Sequence, residues 1–344
     1  PDIHGATYSV RGPANASESG PELVIFDKTH TDTYFLTDAL MNFIDQHEGP
    51  GWCTHLSLRA PHPPWVAAAP YNHRYPLDNL PTPQRQADIE AEQALIRLTQ
   101  HLASSRNRSH TDPARHKMLQ ASYYGLMSEV DDNMGRLVNW LKDTGQWHNT
   151  LLIFTSDHGE QMGDHWMYGK AGSLTSRTTT LIVHLPGGTP GVCDAFTEHV
   201  DILPTLLDAL QKPAPRQCDG FSLLPWLTGD LPASDALRHW RTSAHFEFDF
   251  RHSQAESALG LDMENACLNV IRDQHYKYVH FADLPCLLFD LQQDRFELHN
   301  IAADAPAIVA RYAQQLLSWR LRTTDKTLSH LQIKPGVGLA DMSR

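Results

Sequence analysis

The chain has 344 residues, 41% of them hydrophobic, and a formal net charge of −12 at pH 7. That length and apolar content suffice to bury a sizeable core, and 12 Phe, 10 Tyr and 8 Trp exclude a disordered chain. The acidic balance argues against nucleic acid or an anionic lipid surface as a partner, and no apolar run approaches the roughly 20 residues that span a bilayer.

Five cysteines at 53, 193, 218, 267 and 286 are scattered and form no C-x-x-C pair, which indicates neither a zinc knuckle nor a disulfide framework. Free, mostly buried thiols in a reducing cytosol are expected, and with them a cytoplasmic location. The opening PDIHGATYSV has no initiator Met, no basic segment and no apolar segment of a signal peptide. An upstream portion is expected to be missing.

In chain order, the first thirty residues are polar and turn-rich, as in a surface loop. Phe35, Leu36, Ala39, Leu40, Phe43 and Ile44 recur at helical spacing and predict a helix over Tyr34–His47. WCTHLSL, Trp52 to Leu58, reads as a buried strand that runs into RAPHPPWVAAAP, where prolines forbid regular structure and hold His62 in a rigid loop. Asp88–Leu102 predicts an amphipathic helix. Pro113–Asp143 predicts a longer one, with Leu119, Tyr123, Leu126, Val130, Met134, Leu137, Val138 and Leu141 on one stripe. Pro113 at its start and Gly145 past its end fit the asymmetry of helix termini.

Leu151–Ser156 and Thr180–Leu185 are continuous apolar runs, as expected of parallel strands covered on both faces. Beyond Gly229 the runs become short and alternating, in RTSAHFEFDF, CLNVIRD, HYKYVHF and CLLFDL, as in antiparallel strands. A last helix spans Pro306–Arg322. The expected fold is α/β, a mainly parallel sheet sandwiched by helices over residues 1–230, with a smaller antiparallel α+β subdomain over 231–344.

The stretch FTSDHGEQMGDHWMYGK, Phe154 to Lys170, carries the chemistry. Asp157 and His158 stand where a buried strand ends, the usual place of sites in open α/β sheets. A carboxylate beside an imidazole on a turn opened by Gly159 suits a divalent metal. Lys170, flanked by Gly169 and Gly172, is within reach of an anion held by that metal. An Asp after a strand is otherwise a turn former.

The whole string resembles the sulfatase branch of the alkaline phosphatase superfamily, whose block TSDHGE…GDH…GK follows a core strand. TGQWHNTLLIFTSDHGE, EHVDILPTLLDAL and CDGFSLLPWLTGD extend the likeness. HPPWVAAAPY, HFEFDFR, YKYVHFADLPCLLFDL and YAQQLLSWRLR narrow it to phosphonate monoester hydrolases, over about Thr33 to Thr327. The resemblance implies an alkaline-phosphatase-type fold and metal-dependent hydrolysis of a phosphonate monoester, phosphodiester or sulfate ester. It matches Asp157 and His158 to two ligands of one divalent ion (Mn, Ca or Zn). It matches Lys170 to the lysine on the substrate's non-bridging oxygens, and His62 to the histidine near the leaving group. A small anionic ester as substrate and a homo-oligomeric state follow from the same likeness.

Such enzymes attack with a formylglycine made from the Cys or Ser of C-x-P-x-R, and no such motif occurs here. Either the chain is a piece of a longer enzyme or it is a shortened relative without its nucleophile. After GKAG the sequence runs SLTSRTTTLIVHLPG, where the family more often has an Arg-x-Pro, which puts substrate contacts from that loop in question.

Two alternatives stand beside hydrolysis: a non-catalytic sulfatase-like scaffold, and a two-metal phosphodiesterase using His199 and Asp201. That segment reads better as a packing helix. Asp164 and His165 are expected to shape a turn. Glu247 and Asp249 are expected on a solvated or subunit-contact face, and Asp131 with Asp132 on a helix's solvent side.

Overall fold

The computed structural model describes residues 27–49, 51–89, 92, 112–170, 179–215, 217–229, 240–251, 256, 259–323, 331–334, 336 and 338–341. Most of the expected N-terminal loop, most of the Asp88–Leu102 helix and residues 173–178 of the segment after GKAG lie outside these residues.

The first regular elements are helix α1 (Asp32–Asp45), helix α2 (Pro113–Asp143), strands β1 (Leu152–Thr155), β2 (Gln161–Met162), β3 (Tyr168–Gly169) and β4 (Leu181–His184). Helices α3 (Ile202–Ala209) and α4 (Leu224–Thr228) follow, then strands β5 (Ala244–Asp249), β6 (Cys267–Arg272), β7 (Tyr276–Phe281) and β8 (Leu287–Asp290). Helix α5 (Pro306–Thr323) and strands β9 (Leu331–Lys334) and β10 (Gly338–Asp341) complete the order. They form two compact units, Pro1–Thr150 with Asp157–Thr179 and Leu151–Ser156 with Thr180–Arg344.

The first unit is built on α2. Asp112 caps its start by accepting from the Ala114 N–H at 2.9 Å, Pro113 opens the first turn, and Gly145 past the end has φ +73°. Leu119, Leu126, Val130, Leu137 and Leu141 are buried, as the stripe predicts. Gln120, Ser122, Ser128, Glu129 and Asn133 are buried as well, which the apolar stripe did not announce. Burial pushes the Glu129 carboxyl up, and hydrogen bonds from Thr31 and Thr33 at the start of α1 partly offset this. Arg136 of α2 pairs with Asp38 of α1 and lies 3.7 Å above the Tyr34 ring.

The proline-rich segment packs on the same helix, with Trp65, Ala67 and Tyr71 joining Leu119, Leu126, Met162 and Tyr168 in one core. At Gly125 a Cβ would stand 2.8 Å from both Ala67 Cβ and the Tyr71 carbonyl, so this approach requires glycine. The strand expected over Trp52–Leu58 is a correction. Residues 51–59 alternate between exposed and half-buried but join no ladder among the described residues. The period-two pattern reports an extended backbone; a strand also needs a neighbour to bond with.

In the second unit β1 pairs with β4, and here too the sequence reading needs correcting. The pair is antiparallel, with Leu152 opposite His184 and Thr155 opposite Leu181. An apolar run reports coverage of faces and carries no signal of direction. The expected antiparallel meander is present as β5–β6–β7–β8. Helix α5 packs on it through Tyr312 and Leu316 against Ile271, Tyr278 and Leu288. The β9–β10 hairpin was not anticipated. All five cysteines are free, but the expectation that they are mostly buried is corrected, since Cys53 and Cys193 are exposed and the other three half-buried; no helix among the described residues is long and apolar enough to cross a membrane.

Candidate metal and anion site

Asp157 and His158 follow β1 in the chain and precede the β2–β3 hairpin. The turn is closed locally: the His158 N–H donates to Asp157 Oδ1 at 2.9 Å. His158 Nδ1 lies 2.8 Å from the Gly159 carbonyl. A carbonyl only accepts, so Nδ1 carries the proton and Nε2 presents a lone pair. Nε2 is out of water and has no hydrogen-bond partner, yet it stands 3.2 Å from Asp157 Oδ2. The Asp157 side chain is 84% exposed.

Two polar atoms held this close share either a proton, as in an ion pair, or a metal ion. The imidazole's other nitrogen is fixed on a carbonyl, the usual second-layer support of a metal-bound histidine. The pair therefore fits a divalent ion. Among the described residues no third His, Cys, Asp or Glu joins it in a metal-holding group.

The hairpin brings Lys170 to the same end as this pair. Gln161 faces Gly169 and Met162 faces Tyr168, so the chain leaving β3 runs back beside the chain entering β2. Gly169 has φ +81°, a left-handed conformation that turns the backbone just before Lys170. Tyr168 is buried while Lys170, two residues on, is exposed. Glu160 lies close enough to Lys170 for their charges to interact. Burial pushes its carboxyl up to about 7, against hydrogen bonds from the Gln161 and Gly169 backbones and the Lys170 charge.

His62 is exposed on a bend, with its N–H donating to the Arg59 carbonyl at 2.8 Å. Its Nδ1 lies 2.7 Å from the Pro63 carbonyl, so Nδ1 donates and Nε2 remains to take or give a second proton. No hydrogen bond joins His62 to Asp157, His158 or Lys170. Its loop is instead anchored by Trp65, which is fully buried and meets the Tyr168 ring edge-on at 5.5 Å.

Asp164 and His165 shape the hairpin's turn as expected. Asp164 Oδ1 accepts from the Gln84 N–H at 2.6 Å, and His165, with φ 51°, pairs its Nδ1 with buried Glu92 Oε1 at 2.8 Å. His199 lies 2.8 Å from the Ser156 carbonyl through Nε2. Asp201 is fully buried and its carboxylate is taken. Arg241 grips both oxygens, and the Glu198 and Phe221 N–H groups each donate at 2.8 Å. No lone pair of Asp201 is left for a second metal, and a fixed guanidinium supplies the positive charge. Glu247 and Asp249 are exposed and pair with Arg320 and Arg251. Asp131 and Asp132 are exposed too, although Asp132 accepts from the Tyr71 hydroxyl at 2.8 Å.

Sequence reasoning missed Glu160, Tyr168, His116 and Arg241. Glu160 and Tyr168 stand inside the quoted block, two residues from His158 and Lys170, which was a usable signal; His116 and Arg241 left none.

A family model described as sulfatase matches residues 6–212, more than half of the chain. The chain belongs to the sulfatase family. A second model, described as the C-terminal part of N-sulphoglucosamine sulphohydrolase, matches residues 163–322. The multifunctional alkaline phosphatase superfamily protein PehA of Trinickia caryophylli is 39% identical over 328 residues, 90% of this chain and 63% of that protein. The phosphonate monoester hydrolase of Agrobacterium radiobacter superposes with a TM-score of 0.84 at 36% identity, over 93% of this chain and 66% of that one. Its counterpart from Silicibacter pomeroyi gives 0.83 at 34%, over 92% and 65%. The alkaline-phosphatase/sulfatase fold is thereby shown, with its C-terminal antiparallel sheet. The chain spans about two thirds of the length of these relatives.

Proposed function

We propose that this sulfatase-family chain carries the metal pair, the anion-clamping lysine and the leaving-group histidine of a hydrolase. Its substrates are phosphonate monoesters, phosphodiesters or sulfate esters. The observation that carries the reading is the desolvated Nε2 of His158, without a hydrogen bond and 3.2 Å from the Asp157 carboxylate, just ahead of the hairpin that ends at Lys170. The names of the relatives above support the reaction class.

Asp157 and His158 would hold one divalent ion, which supplies positive charge against the anionic oxygens of the ester when bound. The Lys170 ammonium binds a non-bridging oxygen of the transferred group and stabilises its charge as that charge shifts. Nδ1 of His62 is occupied by the Pro63 carbonyl, so the proton offered to the leaving oxygen is held at Nε2. No residue of this chain is assigned the nucleophile's role, because none of its cysteines stands in C-x-P-x-R. A boundary near residue 230 between sulfatase-like core and C-terminal subdomain belongs to the same proposal. So do a cytoplasmic location, from the free thiols, and self-association, for which exposed Leu317 and Leu321 on α5 speak.

The test is Mn²⁺ titration by calorimetry, beside turnover of an aryl phosphonate monoester and an aryl sulfate with added Mn²⁺, Ca²⁺ or Zn²⁺. One ion per chain is expected, with affinity lowered more than about tenfold in Asp157→Ala and in His158→Ala. Equal Mn²⁺ affinity in wild type and both variants would overturn the metal assignment.

A further inference from the structure

The β2–β3 hairpin has only two residues in each strand, too few to hold its own geometry. Its rigidity is imported, and the support of its second strand meets at one side chain. Tyr168 is 1% exposed. Its hydroxyl lies 2.9 Å from Nδ1 of buried His116 on α2, and the two rings are stacked 5.9 Å apart at 11°. Trp65 meets the same ring edge-on at 5.5 Å and 75°. His116 also packs tightly beneath the hairpin's turn, since a Cβ on Gly163 would stand 2.4 Å from its Cε1.

Two functional pieces thus hang from one aromatic ring. Lys170 follows Tyr168 by two residues across the left-handed Gly169, and His62 precedes Trp65 by three residues on a loop whose anchor is that contact. We propose that Tyr168, held by His116 and by the edge of Trp65, is the positioning residue that sets Lys170 and the His62 loop in a common frame. The inference rests on the roles proposed above for Lys170 and His62. Tyr168 itself touches no substrate; it acts through where it puts the two groups that do.

The test uses the 344-residue chain loaded with diamagnetic Zn²⁺, which leaves nearby proton signals sharp, and phenylphosphonate as the anion; Mn²⁺ affinity is measured separately by calorimetry. The readouts are the dissociation constant of phenylphosphonate and the NMR signal of the His62 Cε1–H group, assigned by its loss in His62→Ala. Tyr168→Phe keeps the ring and removes the hydroxyl. It is expected to weaken phenylphosphonate binding about tenfold and to move the His62 signal, with Mn²⁺ affinity unchanged within about twofold. His116→Ala should do the same, while His116→Gln, which retains a hydrogen-bonding group for the hydroxyl, should bind like wild type. Leu288→Ala in the second unit should lower the melting temperature and leave both readouts alone, separating positioning from general loosening. If Tyr168→Phe and His116→Ala bind like wild type while Lys170→Ala does not, the positioning role is wrong and the site reading stands. If Lys170→Ala also binds like wild type, the role of Lys170 falls and the positioning role with it.

Discussion

Arg241→Met replaces a buried cation by an apolar side chain of similar length, and the geometry of the second unit sets what it should cost. The Arg241 side chain is 9% exposed and Asp201 not at all. In the variant Asp201 keeps two donors, the Glu198 and Phe221 N–H groups at 2.8 Å each. Glu198 loses the guanidinium 3.2 Å away but keeps the His245 N–H at 2.6 Å. Removing one partner of a buried ion pair costs about 3–5 kcal/mol. Two surviving backbone hydrogen bonds place Arg241→Met near the lower end, at about 3 kcal/mol. Urea denaturation followed by tryptophan fluorescence measures it, and Trp240, whose ring is 5.5 Å from the guanidinium, senses the change. The internal standard is Arg59→Ala. The Arg59–Asp32 pair spans 3.0 Å, but its side chains are 61% and 46% exposed, so its loss should cost under about 1 kcal/mol. A loss in Arg241→Met as small as that of Arg59→Ala would refute the reasoning and show that backbone donors alone carry the Asp201 charge. Mn²⁺ stoichiometry should stay at one ion per chain in both variants.

Glu92→Ala strips partners from the His165 imidazole and the Gln86 N–H, at 2.8 and 2.6 Å, in a buried setting. It should destabilise the chain by about 2–5 kcal/mol in urea titrations. Gly169→Ala forces a Cβ onto a residue at φ +81°; a loss of about 1–2 kcal/mol is expected, with phenylphosphonate binding weakened alongside it. Burial, then the neighbouring Cys286, push the Tyr278 hydroxyl from 10.0 up to about 12. The folded chain therefore keeps a proton that the unfolded chain releases above pH 10. The stability this represents is full below that point and is lost as pH rises from about 10 through about 12. Urea midpoints over that window should fall less steeply in Tyr278→Phe than in wild type.

How much of this was legible from residues alone depended on whether the signal was local. Helix α2 was predicted over the span it occupies because Pro113, Gly145 and the apolar stripe act within a turn of the positions they mark. Asp157 and His158 stand out locally as an adjacent pair on a glycine turn, but their expected role as metal ligands comes from the family likeness. The direction of β1 against β4 was not, because pairing is decided between segments and not within them. Extended residues 51–59 show the same limit. Tyr168 and His116 stand 52 residues apart, and Arg241 and Asp201 40 apart, so nothing local ties them. His62 was named through family likeness. The structure adds the reason its loop holds, in the burial of Trp65.

The imported rigidity of the β2–β3 hairpin has a consequence for how this protein can diverge. Its turn leans on Gln84 through Asp164 and on Glu92 through His165, and its second strand leans on His116 and Trp65. These four distant positions are thus bound to residues 164–168 by geometry and not by any contact with a substrate. Among relatives, positions 65, 84, 92 and 116 should change in step with the hairpin and stay fixed when only the leaving group differs. A library randomised for new ester specificity should hold them constant, since altering them would disturb the frame before it altered the choice of substrate.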